Sequence, residues 1–111
     1  MRGNQARESN LMFVGIARFE LFIPSSGSLK DKRQVLRSVT NSLRKRFVVA
    51  IAEVDHQDLW QRTALGVACV AGSPGHCRQV LQEVERSIAR SIVGSAELIE
   101  TEIDVVSSED L

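Results

Sequence analysis

The residues with the greatest chemical potential lie in one short polar stretch, Asp55 to Arg62, with the sequence DHQDLWQR. Asp55, His56 and Asp58 are side chains that can bind a metal ion or exchange protons, and Glu53 lies just before them. Their spacing matches no known pattern of metal ligands or catalytic residues. We therefore predict a structural role, in which the aspartates bond backbone amides of a turn and pair with nearby cations. The sequence thus predicts no catalytic residue and no metal site.

The same stretch holds side chains suited to contacting a partner. Trp60 is the only tryptophan of the chain, and a tryptophan usually packs its ring over the edge of a core with its N–H bonded. A tryptophan that anchors an interface is the less common alternative. His56 is most simply a surface residue. Further contacts from this loop would come from Gln57, Gln61 and Arg62.

A second group of candidate residues is cationic. The segment from Lys30 to Arg46 holds half of the 14 lysines and arginines and a single acid, Asp31. Lys30, Lys32 and Arg33 fall in the first turn of a predicted helix, where cations are disfavoured by the helix dipole. Free amides at a helix start together with cations favour phosphate. The alternatives are that nearby acids neutralise these cations or that they form an ordinary solvated helix face. The residues predicted to contact phosphate or RNA are Lys30, Lys32, Arg33, Arg37 and Arg44.

Neither cysteine indicates catalysis or a disulfide scaffold. Cys69 alternates inward within a predicted strand, and Cys77 lies on the apolar stripe of a predicted helix. His76 is next to Cys77 in sequence, but adjacent residues on a helix do not face each other. We expect two buried free thiols, as is usual in a reducing cytosol.

Composition limits the remaining possibilities. The chain of 111 residues is 43% hydrophobic and 25% charged, which is typical of one soluble globular domain. Its net charge is zero, so the chain as a whole has no bias toward polyanions. No apolar run is long enough to span a membrane, and the first ten residues lack the apolar segment of a secretory signal. We predict a cytoplasmic protein with a disordered polar leader (1–11), one domain (12–106) and an acidic tail (107–111).

Hydrophobic periodicity predicts the six elements that position these residues. Ser28, with Asp31 three residues later, is typical of a capping box that starts a helix, and Ser73-Pro74 starts a second helix. The last strand is expected to turn Ile99 toward the core. The predicted strands cover residues 12–23, 47–54, 63–71 and 97–106.

The order β-α-β-β-α-β predicts a ferredoxin-like α+β fold, in which two helices cover one face of a four-stranded antiparallel sheet. A right-handed crossover makes the first two strands parallel, so both finish at the same end of the sheet. The first helix begins at that end, and the connection between the second and third strands lies there too. We therefore expect residues 28–33 and 55–62 to be neighbours, joined by residues 94–96.

Two segments are long enough to be specific to a family: SLKDKR (Ser28–Arg33) and AEVDHQDLWQRTALGVACV (Ala52–Val70), after the opening FVGIARFELFIP. At this separation they strongly resemble the YlxP-like family of small bacterial proteins, and the similarity covers nearly everything from Met12 to Val106. The resemblance implies a ferredoxin-like fold and a domain family of unknown function. Members of that family are often encoded near genes for ribosome maturation and translation initiation, which points to a pathway and not to an activity.

Three functions stay open at this point. The first is a non-enzymatic binding domain that meets RNA or a ribosomal particle through phosphates, using the basic first helix and the neighbouring loop. The second is a self-associating or protein-partner module, in particular a homodimer through the open sheet face, to which Val14, Ile16 and Phe22 would contribute. The third is a small-ligand binder or enzyme at the end formed by residues 28–33 and 55–62, which needs a pocket there. We favour the first and expect no cofactor.

Overall fold

The helices and strands follow one another in the predicted order. A computed structural model describes residues 11–111, so the predicted leader lies outside the described residues except for Leu11. The elements are β1 (Phe13–Phe22), α1 (Leu29–Arg46), β2 (Ala50–Asp55), β3 (Arg62–Ala71), α2 (Pro74–Ser91), β4 (Glu97–Ser107) and a short 3-10 turn (Ser108–Asp110).

The four strands form one sheet in the order β2-β3-β1-β4, and each neighbouring pair is antiparallel. Odd-numbered residues of β1 face the helices, as shown by the buried side chains of Phe19 and Leu21. At Gly15 the backbone approaches α2 so closely that a Cβ atom would lie 2.8 Å from a methyl carbon of Leu81. Even-numbered residues of β1 lie on the helix-free side, which we call the open face. The ferredoxin-like prediction is confirmed.

Both helices begin at the predicted caps. The Ser28 hydroxyl accepts a hydrogen bond from the Asp31 amide at 3.0 Å, and the Ser73 hydroxyl accepts one from the His76 amide at 3.2 Å. The Asp31 carboxylate accepts from the Gly27 amide, one residue before the cap, and so fixes the entry of the chain into α1.

The main differences from the predictions concern the start of β2 and the register of β4. β2 begins at Ala50 and not at Phe47, because the Phe47 amide still donates to the Leu43 carbonyl and ends α1. In β4 the register shifts by one residue, so Leu98 packs on the core and Ile99 is 46% exposed. The expectation that Ile99 faces the core was wrong because a strand irregularity changes which side chains share a face.

The C-terminal end of β4 is held beside the start of β1. The Ser108 amide donates to the Met12 carbonyl at 2.7 Å, and the Met12 amide donates to the Ser108 hydroxyl at 3.2 Å. Residues 108–110 of the predicted acidic tail therefore form an ordered turn. Among residues 11–111, neither helix has the length and apolar character needed to cross a membrane.

Candidate functional site

The start of α1 and the loop between β2 and β3 meet at one end of the sheet, as predicted. We call this region, residues 28–33 and 55–62, the loop end. Residues 94–96 also lie at this end, because β4 begins at Glu97 opposite Phe22. Ser95 and residues of α1 line a groove of about 250 Å³ beside this end of the sheet.

Lys32 holds the two parts of the loop end together. Its side chain is 1% exposed, and its Nζ donates to the carbonyl oxygens of His56 at 2.8 Å, Gln57 at 3.1 Å and Arg62 at 3.4 Å. A buried ammonium group satisfied by three carbonyls fixes the loop backbone against the helix. The prediction that Lys32 contacts a phosphate is therefore corrected: its amine is turned inward and fully engaged.

A partly buried carboxylate completes the surroundings of this lysine. Glu53 Oε2 lies 3.0 Å from Lys32 Nζ and also accepts a hydrogen bond from the Thr63 hydroxyl at 2.7 Å. Thr63 is fully buried. The pairing compensates the charge of Lys32 inside the protein, which is the internal neutralisation considered above as an alternative.

The helical spacing of α1 contains the signal that Lys32 is internal. At about 100° per residue, Lys32 lies among Leu36, Val39 and Leu43 and within the apolar stripe. The exposed cations of α1 lie on the other side. The position of Lys32 within the first turn gave it the appearance of a phosphate ligand, whereas its angle around the helix determines its environment.

A second polar cluster lies on the open face of the sheet, around Glu20. Its carboxylate is bonded by Arg62, by Arg18 at 3.1 Å and by His56 Nε2 at 3.1 Å. Arg18 also reaches Asp55 at 3.2 Å. The hydrogen bond from Arg62 holds the pKa of Glu20 below its ordinary value, against the opposing effect of burial, and His56 contributes in the same direction.

Residue spacing in the loop does not reveal that cluster, because Glu20 and Arg18 belong to the distant strand β1. The alternation of β1 places both side chains on one face, but only the sheet register brings them beside Asp55 and Arg62. Asp55 therefore pairs with Arg18, and Arg62 pairs with Glu20. Both pairs lie within the protein, in line with the structural role predicted for the loop.

His56 adopts a backbone conformation that is rare for a residue with a side chain. Its φ angle is 64°, and it is the only such non-glycine among residues 11–111. The Asp55 carboxylate accepts from the His56 amide at 2.8 Å, and the His56 carbonyl accepts from the Leu59 amide at 3.0 Å. These bonds, together with Lys32 and Glu20, maintain a tight turn that would otherwise be strained.

The tip of the loop projects apolar side chains into solvent. Trp60 is 55% exposed and Leu59 is 48% exposed, and together with Asp58 and Gln61 they line a shallow open cavity of about 440 Å³. The Gln61 side chain donates to the carbonyl oxygens of Pro24 and Ser26, which ties the tip to the end of β1. The usual expectation that a tryptophan packs on the core is not met here.

The remaining predicted cations lie on the outer side of α1. We call Lys30, Arg33, Arg37 and Arg44 the basic face of α1; all four are exposed. The ion pairs among residues 11–111 are formed by Arg18, Lys32, His56 and Arg62, and none involves a residue of the basic face. Arg44 donates to the Ile51 carbonyl at 3.3 Å. The basic face is therefore uncompensated within the described structure.

The other nucleophilic and metal-binding side chains do not assemble into a site. Cys69 and Cys77 are buried free thiols between β3 and α2, as predicted, and burial raises the pKa of the Cys69 thiol, with Cys77 adding to the effect. Across residues 11–111, no three or more His, Cys, Asp or Glu residues lie close enough together to hold a metal ion.

Comparison with known proteins identifies the family. The model of a family described as "Protein of unknown function (DUF503)" matches residues 14–103. The chain belongs to this family. It is also 38% identical to the uncharacterized protein YlxP of Bacillus subtilis, over 70% of this chain and 96% of that protein. The resemblance to YlxP-like proteins is thereby confirmed, and the family description assigns no activity.

Solved structures similar to this chain support the fold. One is a C-terminal segment of the alpha subunit of aIF2 from Pyrococcus abyssi, with a TM-score of 0.51 and 18% identity, covering 82% of this chain and 51% of that one. Another is AtUAH in complex with glyoxylate, with a TM-score of 0.53 and 9% identity, covering 89% of this chain and 30% of that one. At these identities the similarity concerns the fold alone.

Proposed function

We propose that this protein is a non-enzymatic binding domain that contacts RNA, free or within a ribosomal particle, through the basic face of α1. The observation that carries the proposal is the uncompensated charge of Lys30, Arg33, Arg37 and Arg44. All four are exposed, and none has a carboxylate within 4.0 Å among residues 11–111.

The contrast with the ion-paired cations of the protein supports this proposal. Arg18, Lys32 and Arg62 are each paired with a carboxylate, which shows that acids are available and are used where the fold requires them. Although the net charge of the chain is zero, four unpaired cations lie on one side of α1. Such a local field attracts phosphates even when the total charge does not. The helix α2 also carries exposed cations without an ion pair, Arg78, Arg86 and Arg90, which serve as the control below.

The spacing of the basic face suits an extended polyanion. At 1.5 Å per residue, Lys30, Arg33, Arg37 and Arg44 are separated by about 4.5, 6 and 10.5 Å along the helix axis. They lie within about 60° of arc around it. The face is therefore a narrow stripe along one side of α1, and a single backbone of RNA can follow it.

The loop end would add contacts beside the start of this stripe. Trp60 is exposed on a loop whose backbone is fixed by Lys32, so ordering it costs little on binding. An exposed indole can stack on an unpaired base. We assign Gln57, Gln61 and Arg62 to the same contact region, with Gln61 and Arg62 also bonded within the protein.

The test is a filter-binding titration of a single-stranded RNA across a series of salt concentrations. Four phosphate contacts predict a slope of about −3 in a plot of log affinity against log salt. The variant Lys30→Glu/Arg33→Glu/Arg37→Glu should bind at least about tenfold more weakly at low salt. No binding at low salt, or equal binding by this variant, would refute the proposal.

A matched control uses the other helix. Arg78, Arg86 and Arg90 are exposed residues of α2, and their replacement by glutamate changes the net charge of the chain by the same amount. The RNA affinity of this control should fall much less than that of the α1 variant. An equal fall would show that binding depends on total charge and not on the basic face.

A second candidate function is self-association through the open face. Val14, Ile16 and Phe22 lie there as the sequence predicted, and Ile16 is 48% exposed. Two features oppose a face-to-face contact: the charged cluster around Glu20, and the acidic residues that β4 places on the same face. Val70→Lys, on the exposed part of this face, should dissociate such a dimer in sedimentation velocity if it forms.

A ligand-binding or catalytic function at the loop end has less support. The polar groups there, His56 and Asp55, bond other parts of the protein, and the cavity beside Trp60 is open and shallow. We also infer that the protein acts in the cytoplasm, since two neighbouring cysteines are kept as free thiols.

A further inference from the structure

The two edges of the sheet are protected to different extents. Among residues 11–111, β4 pairs only with β1, and β2 pairs only with β3. β4 carries exposed acids at alternate positions and a register shift at Ile99, and both features discourage pairing with another strand. The edge strand β2 also has a register shift, between Glu53 and Asp55. It lacks the row of exposed acids, because its only acids are Glu53, turned toward Lys32, and Asp55 at its end.

The segment around β2 exposes apolar side chains on one side. Val48 is fully exposed and Val54 is 50% exposed, and the small residues Ala50 and Ala52 between them are exposed as well. Phe47 and Val49 pack against the core, so Val48 points the other way, toward the open face. An exposed apolar strand at a sheet edge is a template for strand pairing.

The backbone of β2 is accessible at the same edge. The Ile51 carbonyl accepts a hydrogen bond from the Arg44 guanidinium at 3.3 Å, so this carbonyl points away from β3. The group that covers it is one exposed, flexible side chain. A second strand can replace that weak bond with a ladder of backbone hydrogen bonds.

We propose that β2 pairs antiparallel with β2 of a second copy of this chain, about a twofold axis at Ile51, and so joins two four-stranded sheets into one. This register places Ala50 opposite Ala52 of the other copy. It also places Val48 opposite Val54, so the two exposed valines bury each other. Both copies keep their helices on the same side of the joined sheet.

Charge complementarity identifies a second copy as the partner. The last turn of α1, just before β2, carries the exposed cations Arg44 and Lys45, and the loop after β2 carries the exposed acid Asp58. Arg46 and Asp55 are bonded to Ser87 and Arg18 of their own copy. Antiparallel pairing brings the cationic end of each copy to the acidic end of the other, at both ends of the interface. The sequence of this segment is thus complementary to itself only in the antiparallel direction. Arg44 is the one residue of the basic face that lies at this interface. Lys30, Arg33 and Arg37 lie outside it, so dimerisation and RNA binding can be tested separately.

Sedimentation velocity over a wide range of protein concentrations tests this interface. The protein should show a concentration-dependent dimer, and Val48→Lys should raise the dissociation constant by at least about tenfold. Val48 is fully exposed in the single chain, so the variant is expected to fold. Val93→Lys, at another site that is 81% exposed, and Val70→Lys on the open face should leave the dimer unchanged.

Cross-linking tests the register. In the double variant Ala50→Cys/Ala52→Cys, exchange with oxidised glutathione should release reduced glutathione and leave a covalent dimer, because each new thiol faces one of the other copy. A monomer at every concentration would overturn the proposal, as would a dimer that Val70→Lys dissociates and Val48→Lys does not. RNA titrations of Val48→Lys measure RNA binding separately, so that failure of the dimer proposal can be distinguished from failure of the RNA-binding proposal.

Discussion

Lys30 and Lys32 are the same kind of residue, two positions apart in the first turn of α1, and their surroundings are opposite. Lys32 is 1% exposed and bonds three loop carbonyls and a carboxylate. Lys30 is exposed and has no ion pair among the described residues. The positive charge of α1 is therefore divided between Lys32, which is bonded inside the fold, and the exposed cations of the basic face, which we propose contact RNA.

The angle around the helix produces this difference. Two residues correspond to about 200°, so one lysine joins the apolar stripe while the other joins the basic face. An ammonium group in the stripe must find partners, and the β2–β3 loop supplies them. The loop in turn gains a fixed backbone, which allows it to expose Trp60.

The largest effect that tests this comparison is expected for Lys32→Met. The substitution retains most of the volume but leaves three carbonyls and Glu53 without their donor. We expect the free energy of unfolding to fall by about 3 kcal/mol, since one partner of a buried ion pair is lost. Urea denaturation monitored by far-ultraviolet circular dichroism measures this change.

Lys30→Met is the matched control for that measurement. The same substitution at an exposed position should change the free energy of unfolding by no more than about 0.5 kcal/mol. If Lys32→Met were no more destabilising than Lys30→Met, the internal role of Lys32 would be wrong.

The next effect concerns the paired cluster on the open face. The lowered pKa of Glu20 means that its carboxylate stabilises the folded state at pH values above its ordinary pKa of 4.5. This contribution is lost as pH falls through the lower pKa of the folded state. Glu20→Gln should therefore cost about 1.5 kcal/mol near pH 7, and the difference from the unsubstituted protein should shrink below pH 4.5.

Urea titrations of both proteins between neutral and acidic pH measure that convergence. A difference between them that stays constant down to pH values well below 4.5 would show that the ionised form of Glu20 does not stabilise the cluster.

The smallest effect is expected at Asp31, the acid between the two lysines. Its carboxylate bonds the Gly27 amide, and its negative charge lies next to Lys30 in the sequence without forming an ion pair with the basic face. Asp31→Asn keeps an acceptor for that amide, so it should cost only about 0.5 kcal/mol of stability through the helix dipole. It should raise RNA affinity about twofold at low salt. A loss of affinity in filter binding would contradict an electrostatic role for this face.

Much of the fold follows from local sequence patterns. The caps at Ser28 and Ser73 and the alternation in β1 predicted the element order and the sheet correctly, because these signals depend on residues close in the chain. The register shift at Ile99 was not predicted, because a one-residue irregularity depends on how two strands pair.

The candidate site was predictable in position but not in chemistry. Topology placed α1 beside the β2–β3 loop, and the notion of a charge-balanced loop agrees with the pairs formed by Asp55 and Arg62. The partners of these residues are Glu20 and Arg18, more than thirty positions away, and only the sheet register reveals them. For Lys32, its place in the apolar stripe of α1 was a signal in the sequence that the side chain is buried. This signal predicts its surroundings better than its place in the first turn of the helix does.

The most direct test of the central claim measures two properties of one matched pair, Lys30→Met and Lys32→Met. We predict that Lys30→Met weakens RNA binding in low-salt filter assays by about threefold, as the loss of one phosphate contact, with nearly unchanged stability. We predict that Lys32→Met lowers stability, and that the RNA affinity of the protein that remains folded falls less than that of Lys30→Met, because only the loop contacts are affected. Equal effects of the two substitutions on RNA affinity would contradict the division between an internal and an external cation.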